Sequence, residues 1–269
     1  MKNIFTVDLE DWFCAYNLRI KVEDWDKQER RIVKNTRRIL KLLSNFNTKA
    51  TFFVLGWVAE KEPKLIREIE SEGHEIATHG YSHSLITNIS PEEFEIDLQK
   101  AIDVTSSISK MTIIGFRAPS FTITNKTRWA LNVLKKHGIK YDSSVFPVGF
   151  HPDYGIADSD INIHKLNGIT EVPLSVLKIL GITIPCSGGA YFRIYPYIFT
   201  KKLIEKCNSQ GRPVIFYMHP WEIDPEQPRQ ALSISKSIRH YYNLNQTENR
   251  LKKLLSDFQF HNMKDELNL

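Results

Sequence analysis

The stretch that decides the fold is Gly73-His74-Glu75-Ile76-Ala77-Thr78-His79-Gly80-Tyr81-Ser82-His83. Its first half reads as a strand: His74 to Thr78 is short, carries the apolar pair Ile76-Ala77 and follows a glycine that closes a helical pattern. Its second half holds two histidines four residues apart. That spacing puts both rings on one side of a helical turn, or of a loop imitating one. Neutral imidazoles so placed can share a metal ion. A strand ending on such a pair fits the α/β rule that sites gather past the C-terminal ends of strands. An isolated H-x-x-x-H is more often a surface or cap feature, so the reading depends on partners elsewhere in the chain.

Working outward, the pattern of a short apolar strand followed by polar residues recurs. Asn3 to Val7 runs into Asp8-Leu9-Glu10-Asp11-Trp12-Phe13, and Thr51 to Leu55 is a second strand. Met111 to Phe116 delivers Arg117-Ala118-Pro119-Ser120-Phe121, Ile139 to Tyr141 delivers Asp142-Ser143-Ser144, and Pro213 to Met218 delivers His219-Pro220-Trp221-Glu222. Helical spacing of apolar residues fills the intervals: 27–43, Pro63 to Gly73, the stretch opened by the capping box Ser90-Pro91-Glu92-Glu93, 125–137, 200–209 and 247–258. Residues 145–195 loosen, with Pro147, Pro152, Pro173, Pro185 and Gly188-Gly189, and read as an elaborated loop and hairpin region. The polar tail after Phe260 is expected to fray. This alternation predicts parallel strands, and about seven units fit a distorted (β/α) barrel. No linker composition or repeat divides the chain, so 1–269 reads as a single domain.

Bulk properties exclude several classes. At 269 residues, 42% hydrophobic and 25% charged, the chain can bury a core without staples. A net charge of +5, spread along helix-like segments, does not indicate nucleic-acid binding. Cys14, Cys186 and Cys207 are widely spaced and odd in number, which argues against a disulfide framework and a cysteine zinc site. No apolar run reaches membrane-spanning length. A first strand beginning near Asn3 leaves no room for a signal peptide, so the expected location is cytoplasmic, at most at the inner membrane face.

The chemistry-bearing residues share one position. Asp8, Glu10, Asp11, His79, His83, Arg117, Asp142 and His219 all fall just past predicted strand ends, which in a parallel barrel lie on one face. Two histidines and a carboxylate form an open zinc set; a second carboxylate can act as base and a late histidine as acid. Glu10 shares a strand face with Asp8, while Asp11 takes the ligand role if the strand breaks after Leu9. Trp12, Phe121, Tyr191 and Trp221 can offer apolar platforms to a substrate, against core packing as the plain alternative. His74, His137, His151, His164, His240 and His261 have no visible partner set.

The segments TVDLEDWF, THGYSH, GFRAPSF, YDSSVFP and FYMHPWE, in this order, resemble the polysaccharide deacetylases, the NodB-homology or carbohydrate esterase family 4 group. GGAYFR and HPWEIDPEQPR resemble the C-terminal extension, here about 220–269, of a branch associated with bacterial exopolysaccharide loci. The resemblance implies the group's distorted barrel and N-deacetylation of N-acetylhexosamine units in a polysaccharide or its precursor, with a divalent metal, most simply Zn²⁺. It implies Asp8 as base, His79 and His83 as metal ligands, Arg117 as the orienting cation and His219 as general acid. It further implies Asp142 as the acid's carboxylate partner and the Ser120 backbone N–H as an oxyanion donor. Leu9 stands where the family has its usual metal-binding aspartate, which leaves Glu10 and Asp11 as the substitutes. A metal-independent, allantoinase-like C–N hydrolase and a non-catalytic carbohydrate-binding scaffold are the competing readings.

Overall fold

A computed structural model of the chain describes residues 1–149, 155–186 and 188–269; His151 and Pro152 lie outside them. In chain order the elements are β1 (Asn3–Leu9), α1 (Ile32–Asn45), β2 (Thr51–Val54), α2 (Gly56–Lys61), α3 (Pro63–Ser71), β3 (Glu75–Thr78), α4 (Pro91–Ile108), β4 (Gly115–Phe116), α5 (Ala130–Lys136) and β5 (Tyr141–Asp142). There follow β6 (His164–Leu166), β7 (Ile169–Glu171), β8 (Val176–Ile179), β9 (Ile182–Pro185), α6 (Gly189–Ile194), α7 (Tyr197–Ser209), β10 (Ile215–Met218), α8 (Ile234–Tyr241), α9 (Leu244–Asp257), β11 (Phe260–His261) and α10 (Met263–Leu267). The chain forms two compact units, one of residues 1–51 and 186–269, the other of residues 52–185. Among the described residues no helix is long and apolar enough to cross a membrane.

In the first unit β1 pairs in parallel with β10 on one side and β11 on the other. All seven β1 residues are buried, the apolar Ile4, Phe5, Val7 and Leu9 together with the polar Asn3, Thr6 and Asp8. The Thr6 hydroxyl donates to the Phe216 carbonyl at 3.0 Å, which removes the cost of burying it. Phe5 packs on Phe216 at 5.2 Å and edge-on to Phe260 at 5.7 Å. Burying each such ring contributes about 1.5–3 kcal/mol. This packing explains why the expected frayed tail is ordered: Phe260 is a core residue. Asn262 then caps α10 by accepting from the Asp265 backbone N–H at 2.8 Å.

In the second unit β3, β4, β5 and β7 pair in parallel, and β6 closes on β7 as an antiparallel hairpin. The strand expected over 111–116 shrinks to Gly115–Phe116, although the Ile114 carbonyl still accepts from Lys140 N–H at 2.8 Å. The sequence reading missed α2, a single helical turn and a half. A Cβ at Gly56 would lie 2.7 Å from Tyr81 Cδ2 and 2.9 Å from Ala101 Cα, so only glycine lets α2 sit this close to α4. The helix from Pro91 starts at the expected capping box, with Ser90 and Glu93 satisfying each other's backbone N–H groups. The loosely patterned region resolves into two hairpins, β6–β7 and β8–β9, followed by α6.

Candidate active site

In the first unit, the site is built by register. Val7 pairs with Met218, so the two strands release Asp8 and His219 side by side. β1 ends at Leu9, and the chain turns at once, with Glu10 N–H donating to the Asp8 carbonyl at 2.9 Å. His219 Nε2 lies 3.0 Å from Glu10 Oε1 and 3.8 Å from Asp8 Oδ2. Its other nitrogen, Nδ1, lies 2.7 Å from Glu222 Oε1, and that same oxygen accepts the His219 backbone N–H at 3.1 Å. Burial alone would push the imidazole down, but the Glu10 and Glu222 carboxylates outweigh it and hold His219 up at about 10. Glu222, though buried, is held down at about 2 by Arg193 and His219.

Two first-unit expectations are corrected. The strand does break after Leu9, yet Asp11 does not become free to serve as a ligand. Its Oδ1 accepts from Trp12 N–H at 2.8 Å, and its Oδ2 accepts from Arg31 N–H at 2.7 Å and Ile32 N–H at 3.0 Å. Asp11 is thus an anion seated on the N-terminus of α1, where the orphan amides and the helix dipole favour it. Burial still raises its carboxyl to about 6 against those amides. Trp12 is 1% exposed, donates to the Glu29 carbonyl at 3.0 Å and meets Phe13 edge-on, so it is core and not a sugar platform. Trp221 is likewise buried, stacked between His219 at 5.1 Å and His240 at 4.3 Å. Tyr191 is half-buried on α6, its ring 5.8 Å from Tyr195.

In the second unit, β3 delivers His79, whose ring lies 5.3 Å from that of His83. His79 Nδ1 is 2.7 Å from the Arg117 carbonyl, which makes Nδ1 the N–H donor and leaves Nε2 as the basic nitrogen. The loop between the histidines is tied down by Asp97, which accepts from Tyr81 N–H at 2.7 Å, Ser82 N–H at 3.1 Å and the Ser82 hydroxyl. His83 follows with φ 56°, a left-handed conformation that the tied loop sustains. Arg117 is fully buried; its Nε donates to the Ser143 carbonyl at 3.1 Å and its Nη2 to Ser143 Oγ at 3.0 Å. The guanidinium also lies 4.2 Å from the centre of the Phe53 ring. Ser120 and Phe121 both have positive φ, 51° and 56°, so the turn after Pro119 holds its backbone in a strained shape. Phe121 packs on Phe146 at 6.0 Å.

Within the first unit the carboxylate that bonds His219 is Glu222, which the sequence did not single out for that role. Asp142 bonds the Ser144 hydroxyl and faces Glu171 across the β5–β7 ladder, with both carboxyls pushed up by burial. Sequence reasoning missed Glu222, Arg193, Glu171 and Asp97. For Glu222 a signal existed: it stands three positions after His219 across a proline, the spacing of a capping box.

Residues 24–141 match the family described as "Polysaccharide deacetylase", and residues 143–268 match "Domain of unknown function (DUF3473)". A "Peptidoglycan deacetylase" of Helicobacter pylori is 32% identical over 117 residues, 44% of this chain and 39% of that one. A "Peptidoglycan-N-acetylglucosamine deacetylase" of Bacillus cereus is 34% identical over 96 residues, 35% of each chain. The matched stretches thus span between a third and two-fifths of those relatives' own length. Among solved structures, a "putative polysaccharide deacetylase from Mycobacterium smegmatis" superposes with a TM-score of 0.63 at 18% identity, covering 99% of this chain and 90% of that one. That likeness carries the fold, a mixed α/β arrangement on parallel strands, as expected for the distorted barrel class. Over residues 24–141 the chain thus matches the polysaccharide deacetylases, the NodB-homology or carbohydrate esterase family 4 group.

Proposed function

We propose that this chain is a metal-dependent N-deacetylase. It hydrolyses the acetamide of N-acetylhexosamine units in a bacterial exopolysaccharide or its precursor, with residues 1–269 acting as one catalytic domain. The observation that carries the reading is the side-by-side release of Asp8 and His219 by β1 and β10, base and acid at adjoining strand ends. The metal reading rests on donor chemistry. His79 has its Nδ1 bound to a backbone carbonyl, which presents Nε2 for coordination, the usual outer support of a metal-binding imidazole. Among the described residues we assign Glu10, His79 and His83 as the donors of one ion, and a set of one carboxylate and two imidazoles fits Zn²⁺. Glu10 takes the ligand role that Asp11, engaged by three amides, does not.

When bound, the ion would lower the pKa of water and polarise the acetyl carbonyl. The chain's own residues do the rest. Asp8 removes a proton from the attacking water, and Arg117 serves as the cation that orients it. The backbone N–H of Ser120 is the donor assigned to the developing oxyanion. His219 Nε2 donates to the departing nitrogen as the C–N bond breaks, leaving acetate and a free amine. The substrate is reached in the cytoplasm or at the inner membrane face.

Acetate release from a panel of N-acetylglucosamine oligomers and acetylated exopolysaccharides tests this, with His79→Ala and Asp8→Asn as controls. Both variants are expected to lose at least a hundredfold in turnover, of the order that a positioned acid or base contributes. Undiminished turnover in both sinks the mechanism. Full activity of protein shown to hold no metal would move the reading to a metal-independent C–N hydrolase. Glycan binding without any acetate release would move it to a carbohydrate-binding scaffold.

A further inference from the structure

We infer that Arg193 is a positioning residue for His219, acting through Glu222 and fixed in turn by the C-terminal end of α8. The inference rests on His219 being the general acid of the proposed reaction. Every contact involved lies within the first unit.

The chain of contacts begins at α8. Arg193 projects from α6 and is 1% exposed. Its Nη1 donates to the carbonyls of His240 at 3.0 Å and Tyr242 at 2.8 Å, and its Nη2 donates to the carbonyl of Arg239 at 2.7 Å. These are the orphan acceptors at the negative end of a helix, where a cation is favoured. The remaining donor, Nε, meets Glu222 Oε2 at 2.6 Å. Glu222 Oε1 then holds His219 at both its backbone N–H and its ring Nδ1. A planar guanidinium with four directed bonds has little freedom, and it transmits that restriction to the carboxylate.

A second line of contacts restrains the same ring. Trp221 stacks on His219 with an interplanar angle of 21° and on His240 with 14°. His240 is pinned by Gln227, whose Oε1 lies 3.0 Å from His240 Nε2 and whose Nε2 donates to the Trp221 carbonyl at 2.9 Å. Together these contacts leave His219 one ring orientation, with Nδ1 directed at Glu222 and Nε2 directed at Asp8 and Glu10.

Stability is a poor reason for such an ion pair. Replacing a buried pair by well-packed apolar residues is often neutral or stabilising. What the Arg193–Glu222 pair supplies is direction: it selects Nδ1 as the ring's supported nitrogen and aims Nε2 at the reacting bond. Arg193 and Glu222 both fall in the segment matching a domain of unknown function, 143–268, which on this reading is part of the catalytic apparatus.

The test uses Arg193→Lys and Glu222→Gln, with Leu254→Ala as a core-destabilised control on α9. Two quantities are read: kcat and KM for acetate release, and the Nδ1–H proton resonance of His219 in ¹⁵N-histidine-labelled protein. Arg193→Lys, which does not touch the imidazole, is expected to lower kcat about tenfold, keep KM within about twofold, and shift the His219 resonance. Glu222→Gln is expected to lower kcat further and move the same resonance. Leu254→Ala should leave both unchanged per folded molecule. A folded Arg193→Lys protein with wild-type kcat and an unshifted resonance overturns the inference. Should the wild type release no acetate from any substrate, the proposed function fails, while the resonance in Arg193→Lys still decides whether Arg193 sets the ring.

Discussion

Glu171→Gln is predicted to make the protein more stable at pH 8 and to flatten its acid-to-neutral stability profile. Asp142 and Glu171 face each other on β5 and β7, both fully buried. One oxygen of each is satisfied: Asp142 Oδ1 by the Ser144 hydroxyl, and Glu171 Oε1 by Val145 N–H at 3.0 Å. The other two, Asp142 Oδ2 and Glu171 Oε2, are buried with no hydrogen-bond partner among the described residues. A proton held between the carboxyls supplies the missing donor. Burial, the largest cause, pushes Asp142 up from 3.8 to about 6, and burial with the Asp142 charge holds Glu171 well above its ordinary value. The sign follows from proton binding. The folded state holds protons that the unfolded chain releases near pH 4, so this stabilisation is complete below that pH and is lost as pH rises through 6. For Asp142 alone the loss is about two pKa units, about 3 kcal/mol by pH 7, and Glu171 adds in the same direction. A glutamine amide at 171 donates permanently to Asp142 Oδ2 and removes one of the two charges. Thermal unfolding between pH 4.5 and 8.5 reads the result. The melting temperature of the variant relative to wild type should climb by about 6 °C or more from pH 4.5 to pH 8, at about 2 °C per kcal/mol for a chain of this size. A difference that is the same at both ends of the range refutes the shared proton.

Three further outcomes follow from single contacts. Asp97→Ala removes the acceptor for Tyr81 and Ser82 and should weaken zinc retention at least tenfold in chelator competition; unchanged affinity would show that the loop holds His79 and His83 without it. Trp12→Ala should cost about 3–5 kcal/mol in urea unfolding while leaving KM within twofold, and a raised KM with unchanged stability would restore Trp12 as a sugar platform. Asp224 accepts from Arg31 Nε at 2.6 Å and Asn35 Nδ2 at 3.0 Å, and the Arg31 bond outweighs burial to hold its carboxyl below the usual range. Its contribution is therefore present at neutral pH and lost on acidification below about pH 4, so Asp224→Asn should cost about 1.5–3 kcal/mol at pH 7 and progressively less at pH 3.

How far the sequence could be read depended on what each signal encodes. Runs rich in apolar residues, Ile4–Val7 and Ile215–Met218, encode burial on both faces, so these strands were legible, and with them the strand-end positions of Asp8 and His219. The expected strand over 111–116 failed because Ile113 and Ile114 are buried without pairing in a regular ladder. The tail after Phe260 was misread because its polarity masked one ring, Phe260, that packs on Phe5 and Phe216. Side-chain engagement was the least legible layer. Asp11 and Glu10 are chemically alike and adjacent; only the position of α1, twenty residues on, decides that Asp11 faces three amides. Trp12 and Trp221 were ambiguous for a similar reason, since nothing in the sequence distinguishes a tryptophan stacked between two histidines from one facing a sugar.

The pairing of His219 with Glu222 has a physical logic of its own. An acid supplied from another strand can support a histidine only as accurately as the two strands are held together. Glu222 is three residues from His219 on a single turn entered through Pro220, whose fixed φ sets the start of that turn. One carboxylate oxygen takes both the backbone N–H and the ring Nδ1 of the same residue, so the imidazole is oriented against its own main chain. Its second oxygen is then turned towards Arg193, and the charge that would otherwise be buried alone is neutralised there. In the second unit Asp142 lies against Glu171, where a shared proton leaves the pair a single charge to bury and Arg117 acts on Asp142 as a cation.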